Sequence, residues 1–440
     1  MRIVTVILAL LFALPVAAQQ PLTYYRVDSL SYAYYIIKDA KNLRKIANEA
    51  SAAGIDYYYL RMRAGIVHYN KGNYEEAAYQ FDKALNFFPI DTLAAEYLYF
   101  SYANTGRSFD ANHAAKKLNS LQKQRYGIKP KPVQSISIGG GYAFSNNQTQ
   151  TGSAQLWQND LIYTDAYMLN NTAFGQIGMV NSISKSIKLF TSYSYYNLQN
   201  AHRYQDQFKD TTGNYTTTQY DFYLSPTFYL GKGFSLSPAM HYIQYGFNTY
   251  YKFYYPNPPG IPVIGTFTTK QTLLYGGLDV SYRFKYAGVS LSGGYSKLDS
   301  LSFYHGNVGV VYYPLGNSKL YGISNLLYLN DENDTYFAFT QKAGLKLFKS
   351  CWAEAGFATG KLRYFAEGNG YTIYTTPDEI TMKLSATLNF YISKKVGLSA
   401  GYVYLKRQGQ YTRSAGYLNE SSATTNYSNH LITTTLTITP

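Results

Sequence analysis

The chain has 440 residues, with 51 tyrosines, one cysteine, and 39 lysines and arginines against 25 aspartates and glutamates. The lone cysteine, Cys351, excludes an intrachain disulfide, so stability must come from packing or from a surrounding phase. The formal net charge of +14 favours acidic partners, but the sequence carries no nucleic-acid recognition motif, and we expect no nucleic-acid partner.

The first residues predict export. One basic residue, Arg2, is followed by an unbroken apolar run, which ends at Pro15 and a small-residue exit at Ala18. This order is typical of a secretory signal peptide over residues 1–18. No later apolar run reaches the length of about 18 residues that a transmembrane helix needs.

Residues 20–125 have a helical pattern, clearest in the segment 58–89. Small, aromatic and proline residues recur there at fixed positions: Gly65, Ala77, Phe81, Ala84 and Pro89. This spacing resembles the tetratricopeptide repeat, a helix–turn–helix unit. Arg61 and Ala64 depart from the family pattern, which prefers a large aromatic residue and leucine there. An ordinary bundle of helix pairs is the alternative.

The resemblance implies a concave groove that binds peptide segments of a partner protein. In the repeat register the first helix of the unit would line this groove with Tyr59, Met62, Ile66, Tyr69 and Asn70. We therefore expect a periplasmic or membrane protein partner. The alternative is that Met62 and Ile66 only pack against the neighbouring unit.

A basic, proline-bearing linker at 126–132 separates the helical domain from residues 133–440, which read as strands and turns. In the stretch 273–296, Leu274 and Leu278 alternate with Asp279 and other small or polar residues. Such alternation predicts a strand with one apolar and one polar face. The same alternation in the stretch 379–392 places Ile380, Met382 and Leu384 together on an apolar face.

The connections favour a transmembrane barrel of about fourteen antiparallel strands. Short turns such as 231–233 and 349–351 alternate with longer connections, for which we expect loops at 145–171, 199–216, 254–265 and 413–425. Short turns at one end and long loops at the other are typical of outer-membrane barrels. The apolar face would then meet lipid, and the polar face would meet water in the lumen. The predicted fold class is a two-domain α + β chain.

This organisation resembles Gram-negative outer-membrane proteins that join periplasmic tetratricopeptide repeats to a C-terminal barrel, such as exopolysaccharide exporters. The tyrosine-rich strands are similar to those of outer-membrane proteins of the Bacteroidota. The resemblance implies an outer-membrane pore or export component, with its N-terminal domain docking partners in the periplasm. A non-conducting scaffold or assembly protein is the alternative, and a lipid-modifying enzyme ranks lower.

Basic residues outnumber acidic ones on the predicted polar faces, which carry Lys188, Asp221, His241, Asp279, Arg283, Lys285, Lys342, Lys346 and Lys383. Such a set favours an anionic solute or polysaccharide. The alternative is that these charges pair with each other and plug a small barrel. No two of the six histidines have metal-ligand spacing, and no nucleophile motif accompanies them. We expect no metal, no cofactor and no enzymatic activity.

Overall fold

The computed structural model describes residues 22–128, 131–146, 163–206, 210–231, 233–256, 259–298, 301–331, 334–375, 378–414 and 420–440. These residues form two compact units. The first contains the described residues up to 107 together with 114–123, and the second contains 108–113 together with the described residues from 124 onward. The predicted signal peptide at 1–18, and part of the predicted linker, lie outside the described residues.

The described residues before the barrel form seven α-helices and one 3₁₀ turn. They are α1 Tyr24–Ile36, α2 Ala40–Ala52, α3 Tyr58–Asn70, α4 Tyr74–Phe87, α5 Thr92–Asn104, α6 Ser108–Ala114, the turn Ala115–Lys117, and α7 Ser120–Arg125. Polar side chains start several of these helices: Asn73 accepts from the Glu76 amide at 3.2 Å, and Asp91 accepts from the Leu93 amide at 2.8 Å. No described helix is long and apolar enough to cross a membrane.

Helices α3 and α4 form the predicted helical hairpin. A Cβ atom on Gly65 would lie 2.6 Å from Cε1 of Phe81, so the two helices approach closely only because residue 65 is glycine. Ala77, Phe81 and Ala84 are fully buried, and Pro89 follows the end of α4 at Phe87. The predicted helix–turn–helix is confirmed. Its assignment to the tetratricopeptide family remains a prediction.

Arg61 stands where the family pattern has an aromatic residue, and its contacts explain how the chain accommodates it. The side chain is 2% exposed, and its guanidinium contacts Asp56 at 2.6 Å and Gln80 at 2.9 Å. Gln80 in turn donates to Glu76 at 2.8 Å. The charge is therefore buried with its hydrogen-bond partners in place, as a buried ion requires.

The second unit is a closed antiparallel barrel with a small hairpin inside it. The strands are β1 Val133–Ser145, β2 Tyr163–Ser182, β3 Ile187–Asp206, β4 Asp210–Gly231, β5 Phe234–Pro256, β6 Pro259–Arg283, β7 Ala287–Leu298, β8 Leu301–Tyr312, β9 Leu320–Asp331, β10 Asp334–Phe348, β11 Cys351–Gly360, β12 Ala366–Glu367, β13 Thr372–Ile373, β14 Glu379–Tyr391, β15 Val396–Ser414 and β16 Glu420–Ile438. Strands β12 and β13 pair only with each other. The other fourteen close through β1 and β16, as the Tyr142–Ile432 pair shows, which confirms the predicted strand number.

The two faces of the strands follow the predicted alternation. On β6, Leu274 is 50% and Leu278 44% exposed on the outside, whereas Tyr275 is 2% exposed on the inside. The prediction is wrong for Ile380, which is fully buried inside the barrel. The pairing of β14 with β15 shifts register between Ile380 and Met382, and such a shift moves a side chain to the opposite face.

The described short turns all lie at one end of the barrel, as predicted, but three of the long loops predicted at the other end are wrong. Within these three ranges, 199–216, 254–265 and 413–425, the strands continue much further than predicted: β3 runs to Asp206 and β4 starts at Asp210, β5 runs to Pro256 and β6 starts at Pro259, and β15 runs to Ser414 and β16 starts at Glu420. Threonine and tyrosine favour strands, so the hydrogen-bonded ladders extend through these stretches. Pro256 and Pro259 form the last pair of the β5–β6 ladder, next to a register shift, where proline is tolerated. Most of the predicted loop at 145–171 lies outside the described residues.

Candidate functional site

The connection between β11 and β14 folds into the barrel, and we call its residues 361–375 the inward segment. Its tip turns at Gly368, Asn369 and Gly370, whose φ angles are +60°, +56° and +80°. A Cβ atom on Gly370 would lie 2.0 Å from Cε1 of Tyr275 on the barrel wall. The turn therefore needs glycine both for its left-handed backbone and for its close approach to the wall.

The inward segment packs against one half of the lumen. Leu362 and Phe365 are fully buried in a cluster with inward-facing residues of the wall: Ile243, Leu273, Tyr275, Phe303, Leu327 and Leu329. The expectation that the inner face meets water is wrong for this half, because the inward positions here carry large apolar side chains that need a partner surface. The inward segment provides that surface.

Polar contacts fix the tip of the inward segment. Nδ1 of His241 lies 2.7 Å from the Gly370 carbonyl oxygen. Nδ2 of Asn369 donates to the Ser237 carbonyl at 2.7 Å, and the Tyr223 hydroxyl donates to the Asn369 carbonyl at 3.3 Å. The backbone groups of a turn inside the barrel thereby receive the partners that buried polar groups require.

A second group of polar contacts, which includes an ion pair, joins this hairpin to the barrel wall. Nζ of Lys383, on β14, donates to Glu367 at 3.0 Å and to the Tyr374 hydroxyl at 2.6 Å. Tyr374 also donates to Glu367 at 2.9 Å. The Lys383 and Glu367 side chains are 19% and 17% exposed, so their attraction is only weakly screened by solvent. We call this group of three residues the latch.

A cavity of about 410 Å³ lies between the inward segment and the opposite wall, formed by β1–β5, β15 and β16. We call it the lumen cavity. Its aromatic lining comprises Phe174, Tyr196, Tyr223, Tyr371 and Tyr374, and its principal polar lining comprises Ser192, Asp221, His241, Arg407 and Asn429. Mixed aromatic and polar walls are typical of sites for small molecules.

The predicted lumen residues occupy different depths rather than one ring. Asp221 and His241 lie together on the cavity wall, with Oδ2 and Nε2 3.8 Å apart. Asp279 and Lys342 lie on inward-facing positions of β6 and β10, and Lys383 belongs to the latch. Lys285 lies beyond the end of β6, in the turn before β7.

Other predicted cations pack on aromatic rings or polar groups near the short turns. The Arg283 guanidinium lies 3.8 Å from the ring centroid of Tyr313, and Lys346 lies 4.2 Å from that of Trp352. Lys188 donates to Ser108, a residue of the same unit, at 2.7 Å. Several of the predicted lumen cations therefore contact neighbouring aromatic rings or a hydroxyl group.

The predicted groove residues of α3 are not equally accessible. Tyr59 is 61% exposed and Asn70 is exposed, whereas Ile66 is half-buried. Met62 is only 5% exposed, so its predicted surface position is wrong because its side chain packs inside the helical unit. Tyr69 contacts the rings of Tyr74 and Tyr97 at 5.2 and 5.0 Å. Partner binding through this helix remains a prediction.

The sequence patterns described above did not indicate the inward segment or the cavity residues Ser192, Arg407 and Asn429. One signal was available. The turn sequence Gly368-Asn369-Gly370 separates two short stretches that contain aromatic side chains, 362–366 and 371–375, which is typical of a short hairpin between two strands. In the described residues, no group of three or more histidine, cysteine, aspartate or glutamate side chains could hold a metal ion.

A closed antiparallel barrel with an apolar outer face and a more polar inner face has the organisation of outer-membrane barrels. No family model and no curated protein matches the chain. Solved structures with a similar fold include the toluene transporter TodX of Pseudomonas putida, with TM-score 0.47 and 6% identity over 77% of this chain and 98% of that one. A Pseudomonas aeruginosa FadL homologue has TM-score 0.42 and 9% identity over 70% and 90% of the two chains.

Proposed function

We propose that this protein is an outer-membrane pore component for small solutes, whose lumen is narrowed by the inward segment. The observation that carries the proposal is the inward segment, whose two short strands pair only with each other and which the latch and other side-chain contacts join to the barrel wall. A segment held in this way can be displaced without breaking the barrel ladder. Short turns are typical of the periplasmic end of such barrels, and the chain enters β1 at that end, which supports a periplasmic helical unit in this proposal.

Solute selection in this proposal depends on which charges face the open path. Lys342 is exposed on the inward face of β10, whereas Lys383 is paired with Glu367. Displacement of the inward segment would unpair Lys383 and add a cation to the lumen. The expected preference for anions, including anionic polysaccharide, therefore strengthens when the latch opens.

The test is the current through purified full-length protein in planar bilayers. Lys383→Met removes one partner of a largely buried pair, a change that costs about 3–5 kcal/mol. Because each 1.4 kcal/mol is about a tenfold change in population, we expect the latch-open current to become at least about 100 times more frequent. Reversal potentials in a salt gradient would measure the charge preference of the open pore.

The charge swap Lys383→Glu with Glu367→Lys is the matched control, since it exchanges the two charges and keeps the pair. It should return the open frequency toward that of the wild type. Equal frequencies of the open current in the wild type, Lys383→Met and the swap would show that the latch does not keep the inward segment in place. The absence of current from all three would favour the non-conducting scaffold instead.

A further inference from the structure

The lumen cavity has the features of a binding site for an uncharged polar ring. Its charged lining consists of one acidic and one basic residue, Asp221 and Arg407, so the lining carries no net charge apart from histidine. A charged solute would have to give up its hydration there without a net counter-charge. The walls therefore favour a neutral ligand over an anion.

Several polar atoms on the cavity wall have no hydrogen-bond partner among the described residues. They include both amide atoms of Asn429, the hydroxyl of Ser192 and Nε2 of His241, in side chains whose residues are 2%, 5% and 3% exposed. Buried polar groups are nearly always paired, and an unpaired one costs about 1–3 kcal/mol. An unpaired amide can turn toward a ligand without breaking an existing bond.

The remaining lining consists largely of aromatic rings. Phe174 and Tyr196 stack at 5.1 Å, and Tyr371 from the inward segment meets Tyr223 edge to face at 5.1 Å. Aromatic walls offer flat apolar contact area, while Asn429 and Ser192 supply donors and acceptors in the same lining. A sugar ring matches this combination, because it has C–H groups on its faces and hydroxyl groups around its edge.

We propose that the lumen cavity binds a neutral sugar ring, with Asn429 and Ser192 hydrogen-bonding its hydroxyl groups and the aromatic residues packing on its faces. The cavity volume of about 410 Å³ lies within the usual range for small-molecule sites. Binding at this site does not depend on whether the barrel conducts. The sugar site and the pore can therefore fail separately.

The probe is D-glucose, titrated into purified full-length protein in detergent micelles and followed by saturation-transfer NMR. D-glucuronate serves as the matched anion, since it differs by one carboxylate. We expect glucose to bind with a dissociation constant of order 1 mM, about −4 kcal/mol. Glucuronate should bind at least about tenfold more weakly, because its carboxylate would be desolvated without a net positive charge.

Asn429→Leu removes both polar amide atoms while keeping the branched side chain and its number of heavy atoms, and should weaken glucose binding about tenfold, while Ser192→Ala should weaken it about threefold. Asn307→Leu is the matched control, because Asn307 faces inward on β8 but does not line the cavity. The affinity of this variant for glucose should equal that of the wild type. The proposal is overturned if glucose does not bind, if glucuronate binds as tightly, or if Asn429→Leu and Asn307→Leu affect binding equally. Heat-modifiable migration on gels would show that each variant keeps its barrel.

Discussion

Replacing residues 362–375 by a Gly-Ser-Gly-Ser linker should turn the barrel into a constantly open pore. The Thr359–Met382 pair holds β11 and β14 together just below the connection, so a short linker can close this hairpin without straining the ladder. Removal of the inward segment frees the half of the lumen that it now fills. We expect the conductance of single molecules in planar bilayers to rise roughly fivefold or more over the wild type.

A linker exchange at the opposite end of the barrel is the control for this replacement. Residues 314–318, in the turn between β8 and β9, can be replaced by the same linker without touching the lumen. That variant should conduct like the wild type. If the variant without the inward segment keeps its heat-modifiable migration yet shows wild-type conductance, the inward segment does not narrow the pore.

Leu278→Arg should strongly destabilise the barrel in lipid. Leu278 is 44% exposed on the outer face of β6, five residues from the end of the strand at Arg283, which puts it near the middle of the apolar band. An arginine on the lipid face at the bilayer midplane costs about 2–4 kcal/mol. Urea-dependent unfolding in lipid vesicles, monitored by migration on gels, would measure this loss.

Leu315→Arg provides the comparison at similar exposure. Leu315 is 51% exposed, but it lies in the turn after β8 rather than in a strand, so its arginine can reach water. We expect a change of at most about 1 kcal/mol there. Equal destabilisation by the two substitutions would mean that the outer face of β6 does not meet lipid.

The barrel could be predicted from the sequence because alternation is a local property. Leu274, Leu278 and Asp279 lie on the predicted faces, since a strand with a period of two fixes each side chain relative to its neighbours. The same rule failed at Ile380, where one register shift reversed the face. A shift of this kind depends on the partner strand, which the local pattern does not contain.

The inward segment and the lumen cavity were harder to predict, because both depend on contacts between distant parts of the chain. Leu273 and Tyr275 have the spacing of lumen residues, but only their contact with the inward segment explains their apolar character. The latch joins Glu367 to Lys383 across a connection that resembles an ordinary loop. Asn429 and Ser192 have no local motif, and only the closed barrel brings them to one cavity.

The most direct test of the central claim measures which face of β6 meets water over residues 278–281, beyond the part of the strand that packs against the inward segment. Single cysteines at positions 278, 279, 280 and 281, introduced into a Cys351→Ser background, would be treated with a charged, membrane-impermeant thiol reagent in lipid vesicles. The inward positions, Asp279→Cys and Ser281→Cys, should react, whereas the lipid-facing Leu278→Cys and Val280→Cys should stay unmodified. Modification at 278 and 280, or equal modification at all four positions, would contradict a barrel with lipid outside and an aqueous lumen.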